Sequence, residues 1–152
     1  MKRNIILLLL LTILVLPGLA QEKDKNKHQK HQEILEMKLE YLASEIELKP
    51  EQKKQFNELY SKMETERWAV LKKLKKAEKS INDNQTASEA DYDKATKEIN
   101  AAKAEMANIA AQYNKKFSTF LSKKQMFKLA EAEKKFYDKM KGCRNKKRAE
   151  IK

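Results

Sequence analysis

The only two histidines of the chain, His28 and His31, stand three residues apart. On a helix that spacing puts both imidazoles on one face. They could then hold Zn, Cu or Ni with Glu33 or a residue from a second subunit. Two ligands fall short of a site, and the surrounding segment is polar, so the expectation is solvated side chains near a free end and no cofactor, with a divalent metal as the alternative. Cys143 is the single cysteine. It excludes an intramolecular disulfide and is expected free, the alternative being a link between subunits. It has no nearby base that would make it a nucleophile, because both histidines lie at the other end of the chain. No glycine-rich phosphate loop, metal-hydrolase motif or serine elbow occurs. The carboxylates sit among lysines on exposed faces where nothing raises a pKa for acid catalysis. An enzyme is not expected.

The remaining chemistry is electrostatic and apolar. Lys72, Lys73, Lys75, Lys76 and Lys79 crowd one stretch beside Arg67 and Trp68, the only tryptophan. Cations near a helix C-terminus are favourable and solubilising by themselves. With Trp68, Arg67, Lys72, Lys75 and Lys76 they also form a candidate rim for acidic, unfolded clients. At 100° per residue Trp68 lies about 120° from the main apolar stripe of its helix, which places it at a packed edge, in an interface, or on a client-facing surface.

The first 20 residues read as an export signal. A basic start, Met1-Lys2-Arg3-Asn4, precedes an apolar run from Ile5 to Leu16, and Pro17-Gly18-Leu19-Ala20 ends in small residues. The run is shorter than the roughly 20 residues of a membrane span. Cleavage after Ala20 is expected, with the mature chain in the periplasm. That chain would have 132 residues with 32 basic and 22 acidic side chains. Seven basic residues and one acid fall in residues 139–152, a tail expected to be flexible and able to touch anionic headgroups, a polyanion or clients. Export disfavours a nucleic-acid role.

Residues 21–152 contain one proline, Pro50, and one glycine, Gly142. A sandwich or barrel needs a turn every 8 to 12 residues, so an all-α fold is predicted. Phe56, Leu59, Tyr60, Met63, Val70, Leu71, Leu74, Ala77 and Ile81 fall at steps of three and four. They predict a helix of about 32 residues from Pro50 to the breakers at 82–84. Tyr92, Ala95, Ile99, Ala102, Met106, Ile109, Tyr113, Phe117, Phe120 and Leu121 predict a second, opened by Ser88 or Thr86 as cap with Asp91 or Glu89 after it. The short connection predicts antiparallel neighbours. Shorter flanking helices are expected around Leu35, Leu39, Leu42 and Ile46, and around Met126, Leu129, Ala130, Phe136, Tyr137 and Met140, the latter stopped by Gly142. Met37, Met63, Met106, Met126 and Met140 read mostly as core filler. The domains expected are a signal peptide at 1–20, a helical body at 21–141 and a basic tail at 142–152. A 132-residue globule has a radius of gyration near 14 Å, so helices approaching 50 Å imply an elongated hairpin that invites a second copy.

Leu48-Lys49-Pro50-Glu51-Gln52 and Leu121-Ser122-Lys123-Lys124-Gln125 share the pattern Leu-x-x-x-Gln, each where a flanking helix meets a long one. In the second, Ser122 can cap the helix, Gln125 can reach back to the cap's N–H, and Leu121 can pack on Met126. In the first, Pro50 pre-sets the opening turn and Glu51 suits the positive end of the dipole, but Lys49 offers no capping oxygen. Taken alone, each is compatible with an ordinary helix start. As a pair, with the signal peptide and the helix order, they resemble the Spy/CpxP family of periplasmic proteins, whose signature is a doubled Leu-Thr-x-x-Gln. The first copy departs from it by having Lys49 where threonine stands.

The resemblance implies an intertwined, antiparallel, cradle-shaped homodimer. It also implies ATP-independent chaperoning of unfolded envelope proteins, restraint of a sensor kinase, or, in relatives, metal sensing. Two other readings are a structural coiled-coil adaptor of the envelope and a Skp-like chaperone; the latter fits less well because nothing beside the long helices alternates with a period of two.

Overall fold

The computed structural model describes the backbone of residues 18–150 and the side chains of residues 29–143. Residues 1–17 of the expected signal peptide lie outside the described residues, and the side chains at the expected cleavage point after Ala20 do too. The chain divides into two units, Met1–Glu33 and Ile34–Lys152. In the first, the described part is helical from Gly18.

Four helices, and no strand, occur among the described residues: α1 (Gly18–Glu45), α2 (Pro50–Asn82), α3 (Glu89–Phe117) and α4 (Lys123–Glu150). This is the predicted all-α class. The expected contrast between short and long helices is not found, because α1 and α4 each have 28 residues against 33 in α2 and 29 in α3. Gly142 does not stop α4: it has no positive φ, and a Cβ built on it would meet nothing within 4 Å. A glycine inside a helix costs about 1 kcal/mol relative to alanine, too little to end a segment that continues in Lys, Arg, Ala and Glu. α1 likewise begins earlier than its apolar residues suggest, since Lys, Gln and Glu are good helix formers without any apolar stripe.

The turns follow from side-chain chemistry. α2 starts with Pro50 at its first turn, where the missing N–H costs nothing. Between α2 and α3 the Asn84 side-chain oxygen accepts from the Thr86 N–H at 3.1 Å. Ser88 then opens α3 with a capping box: its hydroxyl accepts from the Asp91 N–H at 3.3 Å, and Asp91 accepts from the Ser88 N–H at 2.9 Å. The Ser88 hydroxyl, donating to the Asp91 carboxylate at 2.7 Å, and then the Ser88 N–H hold that carboxyl below the usual carboxylate range.

Within Ile34–Lys152 one core joins all four helices. Leu35, Leu42 and Ile46 of α1 meet Phe56, Tyr60, Met63 and Val70 of α2. Ala102, Ile109, Tyr113 and Phe117 of α3, with Leu121 and then Leu129 and Ala132 of α4, complete it. At its centre the Phe56 ring lies 5.4 Å from Tyr60 and 5.5 Å from Phe117, centroid to centroid. α2 and α3 run antiparallel, as Lys73 paired with Glu105 and Tyr113 with Glu66 require. α1 and α4 are also antiparallel, with Glu47 against Lys128 and Tyr41 against Phe136.

The apolar stripes are not wholly covered. Tyr92, expected on the α3 seam, is 48% exposed, and Tyr137, expected on the α4 stripe, is 65% exposed. Met37 is 52% exposed and so is not core filler, and Phe127 reaches 66%. Toward the α2–α3 turn the buried residues are the small Ala77 and Ala95.

Candidate functional site

The two copies of the repeated motif meet. Gln52 and Gln125, 73 positions apart, face each other as a reciprocal amide pair: Gln125 Nε2 donates to Gln52 Oε1 at 2.9 Å, and Gln52 Nε2 donates to Gln125 Oε1 at 3.3 Å. Each oxygen also accepts from the backbone N–H that begins its own helix, Lys49 at 3.0 Å and Ser122 at 2.9 Å. Each amide nitrogen further donates to a carbonyl two residues before the other motif's cap: Gln52 to Phe120 at 2.7 Å and Gln125 to Glu47 at 3.4 Å. An amide side chain has two donor hydrogens and two acceptor lone pairs, and both glutamines use all four.

The local backbone explains how the two can meet. α1 ends in a Schellman arrangement, with Leu48 N–H donating to Ala43 C=O at 2.9 Å and Glu47 N–H to Ser44 C=O at 3.1 Å. The residue in the left-handed position is Glu47, at φ 53°, where glycine is the usual occupant and another residue costs about 1 kcal/mol. Glu47 is held there from the α4 side. Its carbonyl takes the Gln125 amide, and its carboxylate pairs with Lys128 at 2.5 Å. Lys128, with Lys124 nearby, keeps that carboxyl below its usual range. Lys49 supplies no side-chain oxygen, so only the reverse arm of a capping box forms at α2, whereas Ser122 accepts from the Gln125 N–H at 3.2 Å and closes both arms at α4. Leu121 is buried and Leu48 packs against the core. The six motif residues Leu48, Pro50, Gln52, Leu121, Ser122 and Gln125 thus form one junction, beside a surface pocket of about 360 Å³ whose walls include Lys49, Lys124 and Lys128.

The expected client-binding residues do not form one set. Arg67 is engaged inside the fold: it contacts Glu64 at 3.0 Å and Glu133 of α4 at 3.7 Å, and Glu64 also pairs with Lys38 of α1 at 3.3 Å. The buried Tyr60 hydroxyl donates to Glu133 at 2.5 Å. Burial first, then the charges of Glu133 and Glu64, push its pKa well above the usual tyrosine range. This cluster of Lys38, Tyr60, Glu64, Arg67 and Glu133 ties three helices together, and the sequence gives no sign of it beyond the residue types. Trp68 is half-buried, with the Lys72 and Lys75 ammonium groups over its ring at 5.8 and 5.7 Å from the centroid. Lys76 lines a groove of about 580 Å³ between α2 and α3, with Lys73, Lys94, Glu98 and Glu105.

His31 is half-buried, and the His28 side chain lies outside the described residues. Among the described residues no group of three or more His, Cys, Asp or Glu is placed to hold a metal ion. Cys143 is exposed and free. No helix among the described residues is long and apolar enough to cross a membrane. Comparison with family models, with curated proteins and with solved structures finds no match.

Proposed function

We propose that the chain is an exported, ATP-independent holdase or envelope-stress accessory protein of the Spy/CpxP type, working in the periplasm as an elongated, antiparallel homodimer. The observation that carries this reading is the surface. Met37, Tyr92, Phe127 and Tyr137 expose about half or more of their area on helices otherwise covered by lysines and carboxylates. Fully burying one such side chain is worth about 1.5–3 kcal/mol. A client segment that covers one or two of them in part gains a few kcal/mol, which corresponds to weak, reversible capture. Lysine-rich surroundings draw an acidic chain in and keep the chaperone soluble. The doubled motif supports the family reading, because its glutamines act as a matched pair and so account for its occurring twice at one spacing.

The test is suppression of aggregation of a reduced or chemically unfolded model protein by the mature chain without nucleotide, with and without Zn or Cu, and at raised salt. Protection near stoichiometric ratios that weakens with salt is expected. No protection under any condition would favour the adaptor reading, and protection only with metal would give His28 and His31 the central role. Scattering that shows a compact monomer would remove the cradle dimer.

A further inference from the structure

The lysines at the C-terminal end of α2 are arranged to fit a partner other than an unfolded client. Counting from Trp68 at 100° per residue, Lys75, Lys79 and Lys72 all lie within about 40° of it, and Lys76 lies about 80° round. The stripe from Trp68 to Lys79 is therefore a straight line along one helix, about 17 Å long. The acids around it are engaged or lie to the side, Glu64 standing about 40° from Trp68 on the preceding turn. Glu64 is occupied by Lys38 and Arg67, Glu66 accepts from the Tyr113 hydroxyl at 2.6 Å, and Asp83 pairs with Lys79 at the far end. Glu78 stands to the side, about 80° from Trp68. Among the described residues Lys72, Lys75 and Lys76 form no ion pair, and all three are exposed. Two of them rest on the indole instead of on a carboxylate.

We propose that this Trp68–Lys79 face of α2 docks on the surface of an anionic phospholipid bilayer. A row of ammonium groups on one side of a helix, of which Lys72, Lys75 and Lys76 carry no ion pair and Lys79 pairs with Asp83 at the far end, suits a flat field of phosphates better than a client of irregular shape. The lysine stems let the charges reach the headgroups while the helix backbone stays above them. An indole is the side chain most at home at a membrane–water interface, with an apolar body and one polar N–H. The attachment is peripheral, since nothing on this face is long or apolar enough to enter the hydrocarbon. It is independent of the holdase reading and of the basic residues beyond Lys139.

The test uses the full-length mature chain with vesicles in which about a third of the lipid is phosphatidylglycerol, against neutral phosphatidylcholine vesicles. Because Trp68 is the only tryptophan, its emission reports this face alone. The expected result is flotation with the anionic vesicles only, a blue shift of the emission, and quenching by headgroup-level spin label. Each lysine near an anionic surface strengthens attachment roughly fivefold, so K72Q/K75Q/K76Q should weaken it by about a hundredfold. A second variant, R144Q/K146Q/K147Q/R148Q, should keep the emission shift. Binding that survives the first variant and disappears in the second would overturn the proposal. So would an emission shift with polyglutamate but not with vesicles, which would assign the face to acidic polypeptides.

Discussion

Replacing Gln125 by alanine tests whether the repeated motif is a joint. The substitution removes the Oε1 acceptor of the Ser122 N–H at 2.9 Å and both mutual bonds with Gln52, at 2.9 and 3.3 Å, along with a weak 3.4 Å contact to the Glu47 carbonyl. At about 1 kcal/mol net for each good hydrogen bond the loss is about 3 kcal/mol. Both glutamines are half-buried, so water replaces part of what is removed, and about 2 kcal/mol is the expected destabilisation. Gln52→Ala should cost about the same, since it loses the same mutual pair and bonds to the Lys49 N–H and the Phe120 carbonyl. The two share their mutual bonds, so the double variant should cost about 3 rather than 4 kcal/mol, leaving about 1 kcal/mol of coupling between residues 73 positions apart. Gln125→Glu adds a chemical check. The carboxylate still accepts from the Ser122 N–H and the Gln52 amide, but it has no hydrogen to give to Gln52 Oε1 or the Glu47 carbonyl, so it should cost about 1 kcal/mol, less than alanine. The assay is urea unfolding followed by helical circular dichroism. Single costs below about 0.5 kcal/mol, or additive costs in the double variant, would refute the clasp as an energetic unit.

Two further outcomes follow from local geometry. Ser88→Ala removes the hydroxyl arm of the α3 capping box and should cost about 1 kcal/mol in the same unfolding assay. The Tyr113 hydroxyl, desolvated and donating to Glu66, has its pKa pushed up to about 12. An unfolded tyrosine titrates near 10, so the neutral form is preferred in the fold. Its stabilising contribution is whole below pH 10 and is lost as pH rises through about 12. Alkaline titration of tyrosinate absorbance should show two tyrosines ionising late, Tyr60 and Tyr113, and Tyr113→Phe should leave only one; two late tyrosines in the variant would contradict the assignment.

Much of the helical frame is legible from residue order. Pro50 and the 82–84 breakers mark the ends of α2 as found, and Ser88 with Asp91 marks the start of α3. The steps of three and four pick out Phe56, Tyr60, Met63, Val70 and Ala77, all buried. Two local signals mislead. Gly142 looks like a helix end but lies inside α4, and the actual end of α1 uses Glu47 in a left-handed position, where the sequence carries no glycine to announce it. The site is legible only in outline. The equal spacing of the two motifs shows that they are related, but periodicity says nothing about whether Gln52 and Gln125 touch, because that depends on how α1 and α4 close on each other. Arg67 reads as a surface cation by type, yet the approach of α4 brings Glu133 to it. The exposure of Tyr92 and Tyr137 is hidden for a different reason: a stripe tells which side chains share a face, not whether another helix covers it.

The proposed activity rests on the uncovered apolar side chains, so the most direct measurement compares aggregation suppression by the native chain with that by a Met37→Ser, Phe127→Ser, Tyr137→Ser variant. None of the three is in the core cluster, so the variant should unfold at the same urea concentration as the native chain. The account predicts nucleotide-free protection by the native chain near equimolar ratios and loss of most of it in the variant. Equal protection by both, at equal stability, would contradict it.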